Sequence, residues 1–169
     1  MTDNSLREVE KVHPLLNGDV VMEFSNGVVE TILRMAGERS SLNEMAFTWC
    51  NWRSDNDLSV SIDIQHPEFK GQIRYHFSKE VVKDLFKKIF NNNIEPSKAE
   101  IDDCLGEISN ICSGHAKAKL NLKGYSLKLG IPSRAINSQK QPRLFSSLPN
   151  IIIPFKIFNK FCHMQIILS

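Results

Sequence analysis

Little in this chain points to the common enzyme chemistries. Its four cysteines, Cys50, Cys104, Cys112 and Cys162, form no C-x-x-C pair, and none of the five histidines sits at zinc-ligand spacing from them. A zinc ribbon or finger is therefore excluded. No G-x-G-x-x-G, Walker or G-x-S-x-G element is present, which sets aside nucleotide-binding enzymes and serine hydrolases. No apolar run approaches the roughly 18 residues of a membrane-spanning helix. The opening MTDNSLREVEKVHP lacks the apolar stretch of a secretory leader. The expectation is a cytoplasmic protein whose reduced thiols serve as small apolar residues. Charge of one sign is missing too. With 21 Lys+Arg against 19 Asp+Glu the net charge is +2, so there is no global basic field of the kind nucleic-acid binders carry.

What is present suits one domain over 1–169, with 1–16 as a flexible N-terminal segment. The composition, 41% hydrophobic and 24% charged, is that of an ordinary globular core. Val21, Phe24, Val28, Ile32 and Met35 recur at helical spacing and predict a helix over 18–36, ended by Gly37. Three strands follow: 44–53, then Leu58 to Ile64 in alternation, then Phe69 to Phe77. Ser78 caps a second helix over 78–91, with Val81, Val82, Leu85, Phe86, Ile89 and Phe90 as its apolar stripe. A third helix starts with Pro96 as its first residue and runs to about Leu120. Residues 125–131 alternate as a strand, 133–149 read as a long polar loop, and 150–168 as two strands around Asn159-Lys160. Pro154 within the first of these calls for an edge or a bulge. The predicted order is α-β-β-β-α-α-β-β-β. That is an α+β fold with a largely antiparallel sheet flanked by long helices.

The third helix carries the chemistry. At 100° per residue its apolar residues, Ile101 to Cys112, gather on one side. Asp103, Glu107, Asn110 and Gly114 fall opposite, flanked by Gly106 and Lys117. Glu107 and Asn110, spaced i and i+3, thus point together into solvent. Two glycines inside a helix cost about 1 kcal/mol each against alanine, which on an exposed face points to close approach by another backbone or a ligand. The same residue types recur as Glu23 and Asn26 on the polar side of the first helix, followed by Gly27. An asparagine amide both donates and accepts hydrogen bonds, so it can hold a water without acting as a base. A neighbouring carboxylate can pair with a partner's lysine. That combination suits hydrolysis of a phosphoryl group carried by another protein, where positioning does most of the work.

The stretch from Asp102 to Lys117, with the pattern D-x-x-G-E-x-x-N-x-x-x-G-x-x-K, resembles the signature helix of CheX and related CheC-type chemotaxis phosphatases. Gly124-Tyr125, Ile131-Pro132 and the final strand pair are also similar to that family. The resemblance implies that the chain dephosphorylates a CheY-like response regulator. Asn110 would orient the attacking water toward the aspartyl phosphate, and Glu107 would pair with the receiver's active-site lysine. Asp103, Gly106, Gly114 and Lys117 would contact the partner, and Glu23 with Asn26 would form a candidate second site of the CheC type. The Mg²⁺ would belong to the receiver, so no metal or cofactor of the chain's own is expected. A homodimer through the sheet is implied as well.

Other residues have plainer readings. Cys104 and Cys112 sit two turns apart on the apolar side and read as core rather than as reactive thiols. His115 lies toward the same side and reads as partly buried. Trp49 and Trp52 either fill the core or mark a dimer surface, with core the preferred reading. Two functional hypotheses stand: a phosphatase of receiver aspartyl phosphate, or a non-catalytic signalling module of the same fold that binds or sequesters a response regulator.

Overall fold

A computed structural model describes residues 13–42, 45–49, 52–140 and 150–168. Among them lie three α-helices, α1 (Gly18–Ala36), α2 (Lys79–Ile89) and α3 (Lys98–Leu122). The strands are β1 (Phe47–Trp49), β2 (Leu58–Gln65), β3 (Lys70–Phe77), β4 (Lys128–Leu129), β5 (Ile136–Asn137), β6 (Asn150–Ile157) and β7 (Lys160–Leu168). They form one antiparallel sheet in the order β1-β6-β7-β3-β2-β4, with β5 also paired to β2. The predicted α+β architecture is the observed one.

The helix limits follow from local chemistry. Asn17 accepts from the Val20 N–H at the start of α1, and Gly37, at φ 63°, closes it in the left-handed conformation. Ser78 caps α2. At α3 the cap is Ser97, the residue after Pro96. Ser97 accepts from the Glu100 N–H while the Glu100 carboxylate accepts from the Ser97 N–H. This reciprocal box places Pro96 just outside the helix, which corrects its expected role as first helical residue.

The sheet has two different faces. Ile62, Ile73, Ile151 and Ile166 share an inward row with Tyr75, Phe77, Phe155 and Met164, packed beneath Phe24, Leu85, Leu105 and Ile108 of the helices. The outward rows carry Ser59, Arg74, His76 and Gln165. Ile157 and Lys160 close the β6–β7 hairpin around Phe158 and Asn159, at φ 51° and 59°. Both central residues are left-handed, as a two-residue hairpin requires. Pro154 lies inside the sheet but costs no ladder bond. The Lys156 N–H, two residues on, points away from β7 to the Ser41 carbonyl, and β1 pairs only with 150–152. The proline nitrogen therefore faces a side on which no described residue pairs with it.

Three expectations are corrected. The strand over 125–131 shrinks to β4, and the loop after it contains β5 and a short 3-10 turn, Ser138–Lys140. β4 and β5 are two ends of one interrupted strand along β2. From Ile64 to Ser59 five steps of β2 face seven steps of the partner, Leu129 to Ile136, so the segment between them bulges. Pro132, which has no N–H, sits in the bulge. Residues 141–149 of the expected loop lie outside the described residues. The N-terminal segment is described only from His13, and there it is anchored: Leu15 is wholly buried and the His13 ring packs edge-on against Phe69.

Candidate functional site

The capping box fixes where α3 begins, and its apolar stripe, Ile101, Leu105, Ile108, Cys112 and Ala116, fixes how it rolls. The opposite side is therefore presented outward. Asp103, Glu107, Asn110 and Gly114 are exposed, with Gly106 and Lys117 half-buried beside them. The residues predicted to share a solvent-facing strip do share it. The glycines add a contrast. A Cβ placed on Gly106 or Gly114 would meet nothing within 4 Å, whereas one on Gly27 would come within 2.5 Å of the Cys112 carbonyl oxygen. Gly27 is required by the crossing of α1 over α3. Nothing among the described residues requires the other two.

The strip borders a groove of about 1030 Å³. One wall is the N-terminal half of α3 with the end of α2, including Phe90. The other is the bulged segment from Ile131 to Arg134. Asp102, Asp103 and Glu107 line it without an ion-pair partner among the described residues, whereas Glu100 is engaged in the helix cap. Sequence reasoning missed this second wall. Its only signal was Ile131-Pro132-Ser133-Arg134 following an alternating strand.

The pair on α1 is built differently. Asn26 is exposed, but Glu23 is 9% exposed, which corrects its placement on a solvent-facing strip. Its Oε1 lies 3.0 Å from Lys123 Nζ, which also reaches Asp19 Oδ1 at 3.2 Å. The lysine is held charged above its usual range, by Glu23 first and Asp19 second. The carboxylate that would have to receive a partner's lysine is thus occupied by a lysine of this chain.

The three described thiols, Cys104, Cys112 and Cys162, are buried, and of the imidazoles only His76 is. Burial pushes the Cys104 thiol up to about 11 and that of Cys112 up to about 12, so neither is a ready nucleophile. His115 Nδ1 lies 3.2 Å from Glu30 Oε2, joining α1 to α3. Cys50 lies outside the described residues. Trp49 is 63% exposed on β1, against the preference for core, while the Trp52 ring packs against His76 and His163. On the outward face of the sheet Ser138, Ser59, His76 and Gln165 form a buried hydrogen-bonded chain, with successive contacts of 2.6, 2.7 and 3.1 Å. Burial first, with Arg74 and His163 nearby, lowers the His76 pKa to about 4 against the Gln165 bond. No group of three or more His, Cys, Asp or Glu able to hold a metal occurs among the described residues. No helix among them is long and apolar enough to cross a membrane.

Chemically, an exposed amide and carboxylate on one helix face, beside space that glycines leave open, can orient a water and pair with a cation on an incoming molecule. They cannot complete a site alone. Comparison with solved structures gives the same fold. A putative chemotaxis protein from Desulfovibrio vulgaris Hildenborough is 23% identical, with 90% of this chain and 99% of that one covered at a TM-score of 0.77. The chemotaxis protein CheX from Vibrio vulnificus is 18% identical, covering 90% and 100% at 0.80. A chain of the CheX-CheY-BeF3-Mg+2 complex from Borrelia burgdorferi is 17% identical, covering 90% and 99% at 0.66. No curated protein matches the chain. The family described as chemotaxis phosphatase CheX matches residues 58–156, more than half of the sequence. The chain therefore belongs to the CheX family.

Proposed function

We propose that this chain is a phosphatase of a phosphorylated CheY-like response regulator. The observation that carries the reading is the outward strip of α3, where Glu107 and Asn110 stand exposed between two glycines whose open space no described residue fills. Membership of the CheX family and the likeness to a chain solved in complex with CheY support it. Glu107 pairs with the receiver's active-site lysine and sets the approach. Asn110 enters the receiver pocket and its amide orients a water in line with the acyl phosphate. The water oxygen bonds to phosphorus as the phosphorus–carboxylate bond breaks. The electron pair returns to the receiver's aspartate and the water's proton leaves with inorganic phosphate. The Mg²⁺ that neutralises the developing charge is the receiver's. Asp103, Gly106, Gly114 and Lys117 frame the contact. Glu23 is already paired with Lys123, which supports a reading in which each chain works through one site, that of Glu107 and Asn110. The chain acts in the cytoplasm as a homodimer through its sheet.

The test is phosphate release from a panel of phosphorylated receivers. Wild type accelerates release from one of them. Asn110→Ala lowers that acceleration by about a hundred-fold or more, the scale on which a single aligned polar group acts, and still binds the receiver. Unchanged turnover in the variant removes Asn110 from the mechanism. Binding without acceleration by wild type moves the non-catalytic module ahead.

A further inference from the structure

The groove beside α3 is electrically two-sided. Its helical wall carries Asp102, Asp103 and Glu107, three carboxylates with no ion-pair partner among the described residues. Asp103 and Glu107 are also i and i+4 neighbours, an arrangement that disfavours the helix unless something cationic is met. The facing wall carries one cation, Arg134, the sole Lys or Arg among the residues that line the groove. Arg134 is exposed and makes no hydrogen bond or ion pair among the described residues. The opposed charges do not neutralise one another across the gap.

Arg134 is also held in place. It stands in the bulge that the register change between β4 and β5 forces out of the sheet. Ser133, its neighbour, is tied to β2 by three contacts. The Ser133 N–H donates to the Ser61 carbonyl at 2.9 Å, the Ser61 N–H donates to Ser133 Oγ at 3.0 Å, and the two hydroxyls lie 3.1 Å apart. On the other side Ala135 is buried and Ile136 enters β5. Ile131, at the start of the bulge, is 92% exposed. A bulge that places an arginine and an isoleucine on a groove, with one backbone bond to β2 kept and the other replaced by a serine hydroxyl, is a built feature rather than a slack loop.

We infer that Arg134 is a specificity-determining residue that pairs with an acidic side chain of the phosphorylated receiver. With Glu107 it sets the receiver's orientation in the groove. The inference rests on the phosphatase reading for its partner. The occupant follows from charge complementarity. A partner that offers a lysine to Glu107 must offer negative charge to the opposite wall, and a guanidinium binds carboxylates through its planar fork. Ile131 adds apolar contact on the same side. A rim charge of this kind acts on encounter and register more than on the chemical step.

The experiment uses full-length chain and the receiver that wild type dephosphorylates, or, if none is turned over, a CheY-like receiver that it binds after beryllofluoride treatment. Affinity and turnover are measured separately, at low and at high salt, for wild type, Arg134→Lys, Arg134→Ala and Arg134→Glu. The reversal Arg134→Glu weakens binding, and raises KM where turnover is seen, by about tenfold at low salt, with kcat within about twofold. High salt narrows the gap, and Arg134→Lys retains most of the affinity. The melting temperature does not move, since the side chain makes no hydrogen bond or ion pair among the described residues. Affinity unchanged in Arg134→Glu overturns the assignment, and so does a fall in kcat at constant KM. Absence of turnover in wild type, with Arg134-dependent binding intact, overturns the phosphatase reading alone.

Discussion

Gly114 is the residue at which stability and function pull apart. It lies in the interior of α3, where glycine costs about 1 kcal/mol relative to alanine, and a Cβ there would touch nothing within 4 Å. Gly114→Ala therefore raises unfolding free energy by about 1 kcal/mol in a urea titration. The same variant slows receiver dephosphorylation by hindering close approach of the partner's surface to α3. A variant that is both more stable and equally fast would show that the open space serves nothing. How much of this was legible in the sequence differs from residue to residue. The exposure of Asn110 and Glu107 on one strip follows from helical periodicity alone, because their neighbours on the helix are sequence neighbours. Glu23 does not. Its environment is set by Lys123, a hundred residues downstream, whose flexible chain no periodicity places. Gly27 has the same composition cue as Gly114 and the opposite cause, a helix crossing at the Cys112 carbonyl.

At the scale of elements, helices were read well because their ends are signalled locally: Gly37 for α1 and Ser78 for α2. β4 and β5 were not, since their limits come from the register against β2 and not from their own alternation. The sheet's outward face was likewise hidden, because Ser59, His76 and Gln165 are buried beside groups distant in sequence, with Ser138 on the Ser59 hydroxyl and Trp52 against the His76 ring. That face has a consequence for pH. His76 titrates near 4 in the fold, chiefly because it is buried, and near 6.5 when unfolded. Between these values the unfolded chain binds the extra proton. Stability is therefore full above about pH 6.5 and falls as pH drops toward 4, by about 3 kcal/mol over the whole window. Burial lowers the His13 pKa too, in the same sense. Urea midpoints at neutral pH and near pH 5 measure the loss, and His76→Gln flattens the dependence. An equal slope in the variant would assign the acid sensitivity to carboxylates instead.

At the scale of the whole molecule, the two edges of the sheet are treated differently. Beyond β2 the edge is broken by the bulge and carries short strands, a form that resists pairing with another chain. The other edge is β1, three residues long, with Phe47 and Trp49 exposed and Met45 exposed just before it. An apolar, unpaired edge is the surface on which a second copy of an open sheet docks. Phe47 and Trp49 share the outward face with Asn150 and Ile152, to which they are registered. Glu107 and Asn110 belong to the helical layer packed on the opposite face. Dimerisation at β1 would therefore leave both α3 strips free, and the two sites would work independently. Light scattering at micromolar concentration gives a mass of about twice the 19.3 kDa of one chain. Trp49→Lys returns it to that of one chain while phosphate release per chain stays within about twofold, because a charge at the edge opposes pairing without reaching the site. A wild-type mass of one chain refutes the dimer. A monomeric variant that has lost its activity shows instead that the second copy completes the site.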